Sequence, residues 1–188
     1  MTTTANLRVA SNDGPDFYPT PAWAVRGLLS RETFVGTIHE PCCGAGHMAT
    51  ALEASGYTVI SSDLFDHGYG SVGVDVRSLS SGVENIVTNP PYNLATEIIP
   101  HMLCVAARKV ALLTRMAFLE SKRRFTIFSE TPPAAVYVFS ERLSMAPAGV
   151  DVQGGGTVSH CWVVWDRAHK GCTQMSWIPP GFKTKGLL

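Results

Sequence analysis

Two adjacent prolines close the run Val83-Glu84-Asn85-Ile86-Val87-Thr88-Asn89-Pro90-Pro91-Tyr92, and they constrain the chain more than any other stretch. Proline cannot donate to a sheet ladder and is disfavoured inside a helix, so a strand that reaches Val87 leaves its sheet at Asn89. What it leaves there is an amide, a fixed carbonyl and an aromatic ring on backbone with few degrees of freedom. That is the make-up of a site rather than of a connecting turn.

The segments around this stretch read as alternating strands and helices. Phe17-Tyr18-Pro19-Thr20-Pro21 leads into a helix over 21–30, with Thr20 as N-cap and Pro21 at the first helical position. Residues 37–43 read as a short buried strand that breaks into Gly44-Ala45-Gly46, and a helix follows to Gly56. A second strand over 58–62 ends at Asp63, and a third around Val72 to Val74 ends at Asp75. The fourth delivers Asn89. Ala95, Ile98, Ile99, Met102 and Ala106 mark an amphipathic helix that Pro100 kinks or restarts, and Lys109 to Thr114 is a fifth strand. After a helix over roughly 119–129 come two strands, 134–139 and 161–165, with no helix between them, which predicts an antiparallel hairpin ending an otherwise parallel sheet. The expectation is an α/β fold with a mostly parallel seven-stranded sheet. Residues 1–16 are expected to be a flexible arm, 17–170 the folded domain and 171–188 a tail. The connection from 143 to 159, with Gly154-Gly155-Gly156, is long enough to be mobile or functional.

Composition narrows the class. The 188 residues are 45% apolar and 16% charged, and 15 basic side chains balance 15 acidic ones. Such a chain buries a full core, and it does not coat nucleic acid by charge alone, although a local basic patch remains open. Five cysteines without a C-x-x-C pair fit buried thiols in a reducing compartment, with no metal site expected. No apolar run reaches membrane-spanning length, and a soluble, cytoplasmic protein is expected.

In an alternating open sheet, ligands collect at the carboxyl ends of the parallel strands. Glu40 to Gly46, Asp63, Asp75 and Asn89 each follow a strand. Gly44 and Gly46 would let backbone pass close to a ligand, and Asp63 stands where a carboxylate meets ribose hydroxyls in nucleotide-binding folds. Taken alone, Gly-x-Gly is weak, since tight strand-to-helix turns use glycine for geometry only. The ordered set is stronger. Glu40-Pro41-Cys42-Cys43-Gly44-Ala45-Gly46, then Asp63, Asp75 and Asn89-Pro90-Pro91-Tyr92, on successive strands, closely resembles the class I S-adenosylmethionine-dependent methyltransferases. The Asn-Pro-Pro-Tyr quartet resembles their subset that methylates amino nitrogens, mostly adenine N6 in DNA. The resemblance spans about 17–166, and Phe118-Leu119-Glu120 and Trp162-Val163-Val164-Trp165-Asp166 look like the small phage or prophage members.

This resemblance implies S-adenosylmethionine as cofactor and a Rossmann-like methyltransferase fold. It would place Glu40, Pro41 and Cys42 near the methionine end of the cofactor, Gly44 and Gly46 beneath it, and Tyr18, Thr20 and Pro21 over it. Asp63 would accept from the ribose hydroxyls and Asp75 from the cofactor's adenine amino group, with Leu64 and Val76 against the ring. The Asn89 side-chain oxygen and the Pro90 carbonyl would hold the two hydrogens of the target amino group, Pro91 would stiffen that backbone, and Tyr92 would stack on the extruded base. Cys42 and Cys43 read as packing groups. His47 could touch the cofactor or face solvent.

Arg115, Lys122, Arg123 and Arg124 read either as phosphate contacts along the cleft rim or as an ordinary solvated face. Only 23 residues follow Trp165, too few for a separate recognition domain. Short or relaxed sequence specificity is therefore expected, supplied by loops 65–73, 116–130 and 143–158, by the tail, or by a homo-oligomer or separate recognition subunit. DNA is the expected partner. RNA base methylation, protein glutamine methylation and a non-catalytic cofactor-binding subunit are the alternatives, and cytosine N4 is disfavoured because that group more often has Ser in place of Asn89.

Overall fold

The computed structural model describes residues 18–145 and 158–184. The expected arm over 1–16, the glycine triplet at 154–156 and most of loop 143–158 lie outside the described residues.

A single eight-stranded sheet runs through the molecule in the order β3-β2-β1-β4-β5-β7-β6-β8. Its central strands are β1 (Ile38–Glu40), β4 (Asn85–Thr88) and β5 (Lys109–Arg115), with β2 (Val59–Asp63) and β3 (Ser71–Val72) toward one edge. On the other side lie β7 (His160–Asp166), β6 (Ala135–Phe139) and β8 (Gln174–Ile178). β1 to β5 are mutually parallel where they pair. β7 is antiparallel to both β5 and β6, whereas β6 and β8 are parallel. The hairpin and the mostly parallel sheet are as expected, and the sheet has one strand more than the seven read from the sequence. The extra strand lies inside 171–188, so that segment is not merely a tail. Its exposed Met175 and Trp177 alternate with half-buried Ser176 and buried Ile178, a period of two that five residues show too briefly to separate from loop.

Both faces of the sheet are covered, which is why β4 is buried at every position. On one face, α1 (Ala22–Leu29) and α2 (His47–Glu53) pack Ala24, Val25, Leu28, Met48 and Leu52 against Ile38, Val87, Leu113 and Trp162. On the other, α3 (Ala95–Val105) and α4 (Phe125–Glu130) set Ile98, Ile99, Met102 and Ile127 against Ile86, Val110, Leu112 and Val163. α3 is continuous through Pro100, which sits on its exposed side. The helix expected over 119–129 is instead broken into two 3-10 turns, Met116–Leu119 and Lys122–Arg124, followed by the short α4.

The cap of α1 also differs. Pro21 occupies the N-cap position and no side chain caps the helix. Thr20 is buried and its hydroxyl accepts from Asn89 instead, so tertiary packing has taken the group that local chemistry offered as a cap. Among the described residues, no helix is long and apolar enough to cross a membrane.

Candidate active site

The parallel strands β1, β2 and β4 end on one rim, and three turns there build a cavity of about 240 Å³. After β1 the chain turns through Gly44 and Gly46, with φ of 51° and 79°. At Gly46 a Cβ would come within 2.5 Å of the Tyr69 ring, so both backbone conformation and space require glycine. After β2, Asp63 ties the turns together: one carboxylate oxygen accepts from Gly44 N–H at 2.9 Å and the other from Phe65 N–H at 3.0 Å. After β4, Asn89 begins the proline pair.

Most of the residues singled out in the sequence meet in this cavity. Glu40, Pro41 and Cys42 enter from β1, Asp63 and Leu64 from β2, and Asp75 and Val76 from the turn after β3. Tyr18 and Thr20 close one side, and Asn89 and Pro91 form the wall beneath the proline pair. Pro21, Gly44, Gly46 and Pro90 shape the backbone around the cavity without lining it. The sequence reading missed Phe65, Leu94 and Ile98, whose side chains give the far side an apolar lining. Exposed large apolar residues at Leu64, Phe65 and Leu94 are the recognisable sign of such a wall once the strand ends are known to converge.

The carboxylates differ in state. Glu40 is 2% exposed, and burial drives its carboxyl well above the usual carboxylate range, with the Asp63 charge adding to the effect. The Ala49 backbone N–H opposes this, and Glu40 Oε2 has no hydrogen-bond partner. Asp75 goes the other way: the Arg77 guanidinium, bonded through Nε at 2.9 Å, holds it down to about 2. The Cys42 and Cys43 thiols are both pushed up to about 12 by burial, which leaves them as packing groups.

Asn89 is held by its nitrogen. Nδ2 donates to the Tyr18 carbonyl and to the Thr20 hydroxyl, each at 3.3 Å. A carbonyl only accepts, so this contact fixes which end of the amide is which. Asn89 Oδ1 is shielded from solvent and has no hydrogen-bond partner.

A second, smaller cavity of about 130 Å³ adjoins the same residues, lined by Tyr18, Tyr92, Arg115, Met145 and His160 among others. The Tyr18 and Tyr92 ring centroids are 6.3 Å apart, and the Arg115 guanidinium lies 4.5 Å from the Tyr92 centroid. Arg115 is thus part of this inner wall and separate from the basic run read with it. Arg124 is taken up within its own loop, with Nε donating to the Phe118 carbonyl at 2.7 Å and the guanidinium 4.7 Å from the Phe118 ring. Of the four basic residues named for phosphate contact, Lys122 and Arg123 are exposed.

No protein-family model matches the chain, and no curated protein matches it in sequence. Solved structures do. The chain superposes on a protein assigned as a modification subunit of a type I restriction enzyme from Vibrio vulnificus with TM-score 0.59 and 13% identity, covering 92% of this chain and 49% of that one. It matches a protein assigned as a class I S-adenosylmethionine-dependent methyltransferase from Listeria monocytogenes at TM-score 0.59 and 10% identity, covering 89% and 68%. A protein assigned as an RNA methyltransferase from Pyrococcus horikoshii gives 0.56 and 12%, covering 77% and 80%. The fold is that of the class I methyltransferases. The chain spans about half the length of the Vibrio subunit.

Proposed function

We propose that this protein transfers a methyl group from S-adenosylmethionine to an exocyclic amino nitrogen of a nucleic-acid base, adenine N6 in DNA. The observation that carries this reading is the state of Asn89: a side-chain amide whose nitrogen is tied down and whose shielded oxygen has no partner. An orphaned acceptor costs about 1–3 kcal/mol, and an N–H donor brought by a substrate removes that cost.

The chemistry of the larger cavity fits the cofactor. Asp63 and Asp75 stand at the two turns where ribose and adenine groups would lie; each Asp63 oxygen accepts one bond and can accept another, whereas Arg77 already donates to both Asp75 oxygens and would give way to an adenine amino group. Leu64, Phe65, Val76 and Leu94 provide apolar surface for a purine ring, and the unsatisfied Glu40 Oε2 awaits a donor such as an ammonium group. Bound there, S-adenosylmethionine supplies an electrophilic methyl group on its sulfonium.

The chain's own part is alignment. An amino nitrogen conjugated to a base ring is a poor nucleophile. Acceptance of its two hydrogens by Asn89 Oδ1 and the Pro90 carbonyl holds the nitrogen with its lone pair directed at the methyl group. Pro90 and Pro91 keep that carbonyl from moving. The smaller cavity, walled by Tyr18 and Tyr92, takes the extruded base, and stacking of this kind contributes about 1–3 kcal/mol.

The test is transfer of radiolabelled methyl groups to duplex DNA, single-stranded DNA, RNA and a release-factor-like protein, with the modified nucleoside or residue identified by mass spectrometry. N6-methyladenine from DNA is the expected product. Label on protein glutamine alone, or on no nucleic acid, would overturn the reading.

A further inference from the structure

His160 is the first residue of β7, and because β7 runs against β5 it lies opposite Arg115 in the ladder, at the rim where the parallel strands end. Its side chain is 5% exposed and lines the cavity of Tyr18 and Tyr92. Its Nδ1 is buried without a hydrogen-bond partner. Burial and the Arg115 charge hold the imidazole down to about 4, and the nearby Val158 backbone only partly opposes them.

A position in this place could be filled by an apolar side chain at lower cost. A buried imidazole nitrogen left without a partner is unfavourable, and the neighbouring strand positions Trp162 and Val164 show that this face of β7 otherwise carries core residues. The His160 side chain lines the smaller cavity together with Tyr18, Tyr92 and Met145, whose Sδ lies 3.6 Å from Asn89 Nδ2. A neutral imidazole donates through one nitrogen, and the ring nitrogens that flank an amino group on adenine are acceptors. Two acceptors at Asn89 and Pro90 recognise an amino group but cannot tell which base carries it.

We infer that His160 is the specificity-determining residue of this site, donating a hydrogen bond from its imidazole to a ring nitrogen of the target base while Asn89 holds the amino group. The inference rests on the proposed nucleic-acid base methylation and deepens it. His160 forms or breaks no covalent bond; it orients the base within the cavity that Tyr18 and Tyr92 wall.

The test uses the full chain and mixed-sequence oligonucleotides, single-stranded and annealed, whose adenines are all adenine, all 1-deazaadenine or all 7-deazaadenine. Wild-type protein is compared with His160→Phe, which keeps a planar ring, and with His160→Leu should the first fail to fold. Binding of S-adenosylhomocysteine reports that the cofactor cavity is intact. One of the two deaza replacements is expected to lower wild-type kcat/KM roughly tenfold or more, and the same replacement to change the variant less than about twofold. The arm that shows the loss identifies the ring nitrogen. A purely structural role for His160 would slow the variant equally on all three substrates, and that outcome overturns the inference. So does a wild-type protein indifferent to both replacements. Absence of transfer to the all-adenine oligonucleotides by wild-type protein is a different failure, because it removes the proposed function itself and the inference with it.

Discussion

The Arg115 guanidinium lies over the Tyr92 ring, 4.5 Å from its centroid, and 5.9 Å from the centroid of Tyr18. A planar cation beside two phenol rings fixes their relative placement through stacking that a point charge does not reproduce. Arg115→Lys is therefore expected to raise KM for nucleic acid about 2- to 30-fold, the span of a cation–π contact, with S-adenosylhomocysteine affinity unchanged. Steady-state kinetics at fixed salt, beside calorimetric cofactor binding, separates the two. Equal kinetics for Lys and Arg would show that charge alone suffices.

Asn89→Ala removes the acceptor assigned to the amino hydrogen and the tether to Tyr18 and Thr20. A fall of about 10²–10³ in kcat is expected, the size seen when one preorganised polar contact is lost from a transition state. Single-turnover methyl transfer measures it, and cofactor binding within a few-fold of wild type shows that the cavity survives.

Gly46→Ala forces a side chain into a left-handed conformation and against Tyr69. The turn that carries the β1 end into α2 then shifts, at a cost of about 1–3 kcal/mol in stability. Urea unfolding reads the stability, and the same variant should bind S-adenosylhomocysteine at least several-fold more weakly. Gly56→Ala, in open space, also has positive φ but no contact to violate, and should cost less.

Stability should also carry a signature of His160. Its folded pKa is depressed from 6.5 to about 4, so the unfolded chain binds a proton that the folded chain refuses. The full stability is present above pH 6.5 and is lost as pH falls toward 4, by on the order of 3 kcal/mol for this group. Glu40 acts in the opposite sense, since its raised folded value makes the folded state the stronger proton binder as pH falls. Comparing wild type with His160→Phe across this window cancels Glu40. The unfolding free energy of wild type relative to His160→Phe should fall as pH drops from 7 to 4, and a constant difference would show that His160 titrates normally.

The alternating half of the fold was legible in the sequence because its central strands β1, β4 and β5 are mostly buried and the strand ends are marked by Gly44, Asp63 and the Asn89 proline pair. The cofactor-sized cavity followed from those ends. The broken helix after Leu119 was not legible, since Arg124 bonds the carbonyls of Ala117, Phe118 and Glu120 and so satisfies two short turns where periodicity suggests one long helix. Thr20 was misread because its local role as a cap gave way to a partner many residues away. His160 and Arg115 escaped notice as a pair for a topological reason. Only the antiparallel placement of β7 beside β5 brings them together, and no spacing in the sequence reports which strands are neighbours.

That reversed strand also decides where new binding surface can be acquired. In the parallel part of the sheet, the segments leaving the strands face the ligand. For β7 it is the incoming segment that does so, with Leu143, Met145 and Val158 at its described ends forming part of the smaller cavity's wall. Substitutions at the described ends of the connection between β6 and β7 would thus alter the wall of the smaller cavity directly. Under the proposed function, that single hairpin connection is where the choice of polymer would be retuned.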